Sequence, residues 1–483
     1  MTAATTAPVS RWPAWVRRWT AIEVLGEPAV LGARLTIALS LFAILYVGTW
    51  NAYHYPITLG FDAVAHLEYA HVVIHQHRLP TPQGGSEANQ PPAYYVIGGI
   101  AAEAGHRLFG WREQAGSSPP DPSYRGAQLL NVLLWLLTAL CVLWLARTIA
   151  PRRPWVAAAS VGYMAFLPIV AKTAAMFHPD NLAMLTTAAA VAATTHILVR
   201  RDFRWRIILL VVLALTLGVA TRLASVFTLV AIVAGLAWAI ARGPELRHAI
   251  PVRRVAAAIA AMLVLGLPWF VHEARIYHDP FGPTRVIRQA FDPHATRAVQ
   301  DRSVMFHISF ADAGAIIHNP WRDYYANHAL PMTYTEIWGD WFGAMAWSPY
   351  ATTIRPTVEK LLRDQSSVGV LPTILSLAGC LALLWAGIRR RPELLPAALV
   401  PFVAIAGYLY RSYLILTPDG DLFKASYVLT TAPVFALGFG LGSGWLAGRS
   451  RWARAAMVVA FAAFAVLELR FTMYGIRDHR PIF

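Results

Sequence analysis

Asp62 lies in Gly60-Phe61-Asp62-Ala63-Val64-Ala65-His66-Leu67-Glu68-Tyr69, just beyond the first long apolar stretch of a chain that is otherwise a succession of them. Ionisable side chains are costly in such surroundings and tend to mark function. At helical spacing Asp62, His66, Tyr69 and Val73 share one face, so a carboxylate and an imidazole stand one turn apart, with Glu68 as a further acid beside them. A second polar group, His178-Pro179-Asp180-Asn181, opens a later apolar stretch, where an acid also suits helix capping. Two cations stand apart from the rest. Arg222 falls between two short apolar stretches, and Lys424 follows the turn Thr417-Pro418-Asp419-Gly420-Asp421 and precedes Tyr427. A pair of cations so placed can grip a lipid phosphate. The run Tyr334 to Gly343 alternates aromatic residues with acids and includes Trp338 and Asp340. Such a run can stack on sugar rings, and it is also how an interfacial aromatic belt reads.

Those residues must be positioned by helices in a membrane. Of the 483 residues 57% are hydrophobic and only 14% charged, against about 25% charged in soluble domains. Repeated apolar stretches of roughly 20 residues complete the argument for an all-α polytopic membrane protein. The formal charge of +15 does not point to nucleic acid, because arginine falls in short clusters between spans. These are Arg147 with Arg152 and Arg153, the group Arg200 to Arg206, the group Arg242 to Arg254, Arg389 to Arg391, and Arg449 to Arg454. That bias marks cytoplasmic loops and attraction to membrane lipids. Cys141 and Cys380 both lie in predicted spans, so no disulfide framework or cysteine metal site is expected.

With those clusters as inner anchors, residues 1–32 form a cytoplasmic interfacial segment with no cleaved signal peptide, and the first span runs near 33–50. Only an odd number of crossings fits between residues 50 and 147. The stretch 92–109, with Glu103, His106 and Arg107, is therefore read as an interfacial helix and 126–147 as the second span. Further spans are predicted near 154–174, 181–199, 207–220, 222–241, 255–272, 370–388, 394–411, 425–447 and 454–473. The total is about eleven, counted on spans of roughly 20 residues. The pair at 207–220 and 222–241 is short, so their junction is expected to dip into the membrane. The organisation is thus a transmembrane module at 33–272 with a first external loop at 51–124, a large external loop at 273–369, and C-terminal spans at 370–483.

The loop acid Asp62, the run Gln90-Pro91-Pro92-Ala93-Tyr94-Tyr95, the acid Asp180 at the second external turn, and Lys424 with Tyr427 before a late span resemble the GT-C superfamily of membrane glycosyltransferases. That group includes protein O-mannosyltransferases, aminoarabinose transferases, oligosaccharyltransferases and arabinosyltransferases. The resemblance covers most of residues 33–272 in layout and implies a GT-C-like bundle with external juxtamembrane helices. It implies a polyprenyl-phosphate sugar as donor and a glycan, lipid or protein hydroxyl as acceptor, used at the outer face of the plasma membrane. On that reading Asp62 is the general base, with its pKa raised by partial desolvation, and His66 and Glu68 assist it. Many members carry a second acid directly after the first; here Ala63 stands there and Glu68 is the nearest acid. Lys424, Arg222 and Tyr427 would hold the donor phosphate. His178, Asp180, Tyr94, Tyr95, Trp338 and Asp340 would line the acceptor side or the pocket, with His178 and Asp180 alternatively orienting Asp62. Having one base and no second nucleophile implies single displacement with inversion. No cofactor is expected; a divalent ion between Asp62 and Asp180, as in oligosaccharyltransferases, is the less favoured arrangement.

A transporter or flippase is the competing class, and an inactive GT-C-like scaffold a third. Position separates them. A transporter should hold its ionisable residues near the bilayer midplane, whereas the enzyme should gather Asp62, Asp180, Arg222 and Lys424 around one cavity at the membrane face.

Overall fold

The computed structural model describes residues 28–58, 60, 62–81, 87–111, 123–278, 280, 314, 317–318, 328–338, 356–414, 424–447 and 449–473. Among them every regular element is helical. In chain order these are α1 Pro28–His54, α2 Ala63–Gln76, α3 Ala93–Phe109, α4 Arg125–Ile149, α5 Pro154–Phe166, α6 Pro168–Ala175, α7 Asp180–Arg200, α8 Trp205–Val219 and α9 Ser225–Arg242. There follow a short helix Pro244–Ala249, α10 Val252–Tyr277, α11 Ala329–Trp338, α12 Pro356–Arg389, α13 Leu395–Leu414, α14 Ala432–Ala447 and α15 Arg451–Thr472, with 3-10 helices at Pro392–Leu394 and Ala425–Thr431.

Eight helices among the described residues are long and apolar enough to cross a membrane, or nine when α5 and α6 count as one bent span. Helix α8 and the Ala455–Leu469 part of α15 are shorter apolar helices at two further expected positions. A helix satisfies its backbone hydrogen bonds within itself, as lipid requires, and these helices bear out the all-α polytopic reading. Helix α3 lies outside the candidate spans, at the stretch read as interfacial.

Two expectations need correction. The single span expected at 154–174 breaks at Leu167, where α5 and α6 meet at 51°. Pro168 has no N–H to donate and its ring obstructs the preceding turn, so the helix restarts there. The stretch at 222–241 is not short: α9 passes as a span by itself, and only α8 falls below that length.

Helix α7 sits at the centre, with 78% of its apolar window buried, whereas α10 is peripheral, with 6% buried. Sequence explains the contrast. The middle of α7 reads Thr186-Thr187-Ala188-Ala189-Ala190-Val191-Ala192-Ala193, and small residues let neighbouring membrane helices close in. Helices α12 and α14 meet by the same device: a side chain on Gly379 would run into the Gly438 carbonyl oxygen, a backbone group that cannot turn aside. Gly379→Val should therefore cost about 1–3 kcal/mol through overpacking, seen as a lowered thermal midpoint in detergent. An unchanged midpoint would mean the helices part there freely.

Candidate active site

Four segments converge at one end of the bundle. They are the entry to α2, the start of α3, the turn between α6 and α7, and the link between α8 and α9; the residues just before α14 join them. Asp62 occupies the N-cap position of α2, but its side chain caps nothing. Its backbone is left-handed, with φ 53°, a conformation that Asp tolerates better than most residues. The carboxylate reaches Lys424 Nζ at 3.1 Å from Oδ2, across 362 residues of sequence. Lys424 is buried, while 39% of the Asp62 side chain stays accessible.

Next to this pair lies a second. Arg222 Nε stands 2.7 Å from Asp180 Oδ1, both side chains almost wholly buried. Asp180 opens α7, and its backbone N–H donates to His178 Nδ1 at 3.3 Å. Nδ1 therefore accepts, so the ring proton of neutral His178 sits on Nε2. Asn181 donates from Nδ2 to the Thr173 carbonyl at 2.7 Å, which ties the turn back to α6. The Arg222 loop is tied to the α3 start by Ala93 N–H donating to Ala220 O at 3.0 Å.

His66 lies one turn beyond Asp62, buried, with Nδ1 2.8 Å from the Tyr95 hydroxyl and its ring edge-on to His178 at 4.7 Å. Tyr95 stacks on Tyr69 at 3.8 Å. Tyr94 donates its hydroxyl proton to Asn131 Oδ1 at 3.0 Å and accepts from His178 N–H at 3.1 Å. Both tyrosines are fully buried. They form the floor that holds His66 and His178, rather than the lining of an open acceptor pocket.

Three further expectations change. Glu68 projects from the exposed side of α2, opposite the buried face of Ala63, His66, Tyr69 and Ala70. Trp338 is a core residue: it is 1% exposed, donates to Thr373 Oγ1 at 2.9 Å and packs edge-on against Tyr163. Asp340 lies outside the described residues. The expected rise in the Asp62 pKa is also reversed. Desolvation pushes it up, but the charges of Lys424 and Arg222 and the Lys424 hydrogen bond together carry it below its usual value.

Two residues join the cluster that the sequence did not single out. Glu87 is one, a carboxylate close enough to Asp62, Arg222 and Lys424 to feel their charges. Burial pushes its carboxyl up and the Asp62 charge adds to this, while Arg222 and Lys424 hold it back. Arg411, near the end of α13, covers one side of the Tyr427 ring at 4.7 Å; Arg222 lies against the same ring at 5.4 Å. The signal for Arg411 was available, since it ends a span at the same face as Lys424. Glu87 sits in a stretch without periodicity, although only three residues from Gln90.

Burial keeps both histidines neutral. His66 is driven down to about 3, with Asp62 resisting and Arg222 and Lys424 adding to the fall. His178 is lowered by desolvation, then by His66, Arg222, Lys424 and Lys172. The cluster therefore offers one accessible carboxylate, two neutral imidazoles and three cations. The less favoured arrangement sets a divalent ion between Asp62 and Asp180. Each carboxylate already faces a cation, and no three His, Cys, Asp or Glu among the described residues gather as ligands.

No family model and no curated protein sequence matches the chain. Solved structures do. The Archaeoglobus fulgidus oligosaccharyltransferase in its apo form aligns with a TM-score of 0.53 and 13% identity, over 92% of this chain and 56% of that one. The same archaeal protein, AglB, in complex with an inhibitory peptide and a dolichol-phosphate, aligns equally well. Its complex with Zn and sulfate aligns at 0.52, with 15% identity, over 91% and 53% of the two chains. The chain shares the fold of that oligosaccharyltransferase. It spans 56% of the length of the oligosaccharyltransferase it matches. ArnT from Cupriavidus metallidurans, bound to undecaprenyl phosphate, aligns over 87% of this chain at a TM-score of 0.35.

Proposed function

We propose that the chain is a membrane glycosyltransferase that moves a hexosyl or pentosyl residue from a polyprenyl-phosphate donor to an acceptor hydroxyl. The observation that carries this reading is the Asp62–Lys424 pair beside the Arg222–Asp180 pair, at the end of the bundle opposite the arginine clusters. By the inside bias of arginine that end faces outward from the plasma membrane. A transporter reading is less favoured, because its ionisable groups belong near mid-span and these do not lie there. The fold neighbour's complex with a dolichol-phosphate supports a donor of this type.

In the reaction the acceptor oxygen attacks the anomeric carbon as the bond to the phosphate oxygen breaks, inverting that carbon. The acceptor proton passes to Asp62, and the bonding pair leaves with the phosphate. Lys424, Arg222 and Arg411 offset the charge on that phosphate, so no general acid is needed. The donor phosphate competes with Asp62 for Lys424. Its arrival thus frees the carboxylate to accept a proton, and a low pKa keeps that carboxylate ionised. Glu87 and Asp180 hold the cations in place.

The test is transfer from a panel of radiolabelled polyprenyl-phosphate sugars by the full chain in nanodiscs, supplied with membrane extract as acceptor. Turnover of one panel member is expected; lipid movement across the bilayer without transfer would favour a flippase. The pH profile separates Asp62 from the other acids. Asp62 ionises below the usual aspartate value of about 3.9. An acid limb above about 4.3 therefore comes from one of the other two carboxylates of the cluster, Glu87 or Asp180. Glu87→Gln or Asp180→Asn should remove that limb and Glu68→Gln should keep it; the reverse pattern would return that role to Glu68.

A further inference from the structure

The opposite end of the bundle holds a second feature that the proposed reaction does not use. Helices α1, α5, α14 and α15 enclose a trench of about 830 Å³. Trp155, Phe166, Phe439 and Phe461 are among its walls, and Arg152, Arg153 and Arg449 stand at its rim. None of these three guanidinium groups is in an ion pair among the described residues; Arg449 lies over the Trp445 ring at 4.0 Å. The trench follows α5 from Arg153 to Phe166, about 20 Å at the rise of an α-helix. Half the hydrocarbon core is about 15 Å, so the trench is one leaflet deep beneath its charged rim. Inside it Ser443 is 6% exposed, and its hydroxyl has no hydrogen-bond partner.

We infer that this trench is a binding site for one anionic phospholipid of the arginine-rich, inner leaflet. The phosphate sits among Arg152, Arg153 and Arg449, an acyl chain lies along α5, and Ser443 donates to an ester oxygen of the lipid. Charge complementarity selects the headgroup, because three arginines at a membrane face have no counter-ion among the described residues. The one-leaflet depth selects an acyl chain over a longer polyprenyl tail. The inference is independent of the transfer chemistry, since the trench and the Asp62 cluster lie at opposite ends of α1.

Native mass spectrometry tests it, on the full chain released from micelles with equal phosphatidylglycerol, phosphatidylcholine and undecaprenyl phosphate. One phosphatidylglycerol should remain bound, with at least about tenfold preference over phosphatidylcholine given three arginines at the surface. The combined Arg152→Gln, Arg153→Gln and Arg449→Gln variant should lose that preference. Ala159→Phe, which fills the trench without altering charge, should lose the lipid altogether. Equal retention of the two phospholipids by the wild type would overturn the site, and that comparison needs no variant to fold. Undiminished preference in the arginine variant, or selection of undecaprenyl phosphate, would overturn it as well.

Discussion

Asp62→Asn should lower transfer about 100- to 10,000-fold, the usual worth of a positioned base, while the donor binds as well as before or better. Asn accepts the left-handed backbone that residue 62 adopts, so the entry to α2 keeps its shape. The side chain offered no cap to lose. What disappears is the proton acceptor and the ionic hold on Lys424. A Lys424 released from its partner is more available to the donor phosphate, so KM for donor should stay level or fall as kcat collapses. Steady-state kinetics with a radiolabelled donor reads both constants. A rise in KM with kcat unchanged would move Asp62 from the chemistry to donor binding.

Arg222→Met should be the most damaging single change to the folded state. It strands the Asp180 carboxylate, 1% exposed, without its guanidinium. Breaking one side of a buried pair typically costs about 3–5 kcal/mol, since the remaining charge is left uncompensated in low dielectric. Adding Asp180→Asn should restore most of that stability, because the stranded charge goes with it. Transfer should not return, because the phosphate has lost a cation. Thermal unfolding in detergent, run beside donor binding, separates the two losses. If the single variant melts with the wild type, Asp180 is reached by water and its pairing has little structural weight.

How far the sequence speaks depends on what kind of signal each residue leaves. Apolar runs of about 20 residues announce membrane helices, because a helix that long spans the lipid with its backbone hydrogen bonds made internally, and the helices lie where those runs lie. Asp62, Asp180, Arg222 and Lys424 were conspicuous as charges at span ends, and the fold brings them together. Glu68 and Glu87 show the limit. Helical spacing placed Glu68 near Asp62 in sequence but on the far side of α2, while Glu87 comes from a loop whose path no periodicity encodes. Trp338 read as a sugar platform from its acidic neighbours, yet a tryptophan with a partner for its N–H is equally suited to a core. The break at Pro168 was visible as a proline inside an apolar run. Whether such a proline bends a helix or restarts it depends on neighbours that composition does not name.

The distance along the chain between Asp62 and Lys424 bears on biogenesis. A ribosome threading this protein into the bilayer delivers the carboxylate with the first helices, and must insert 362 further residues before its ammonium arrives. Arg222 and Asp180, only a few dozen residues apart, meet much earlier. Chains that end between Arg222 and Lys424 therefore carry Asp62, Asp180 and Arg222 and lack Lys424. Ability to engage a phosphorylated lipid would then be conferred only on finished molecules, so that completion of synthesis itself acts as the switch.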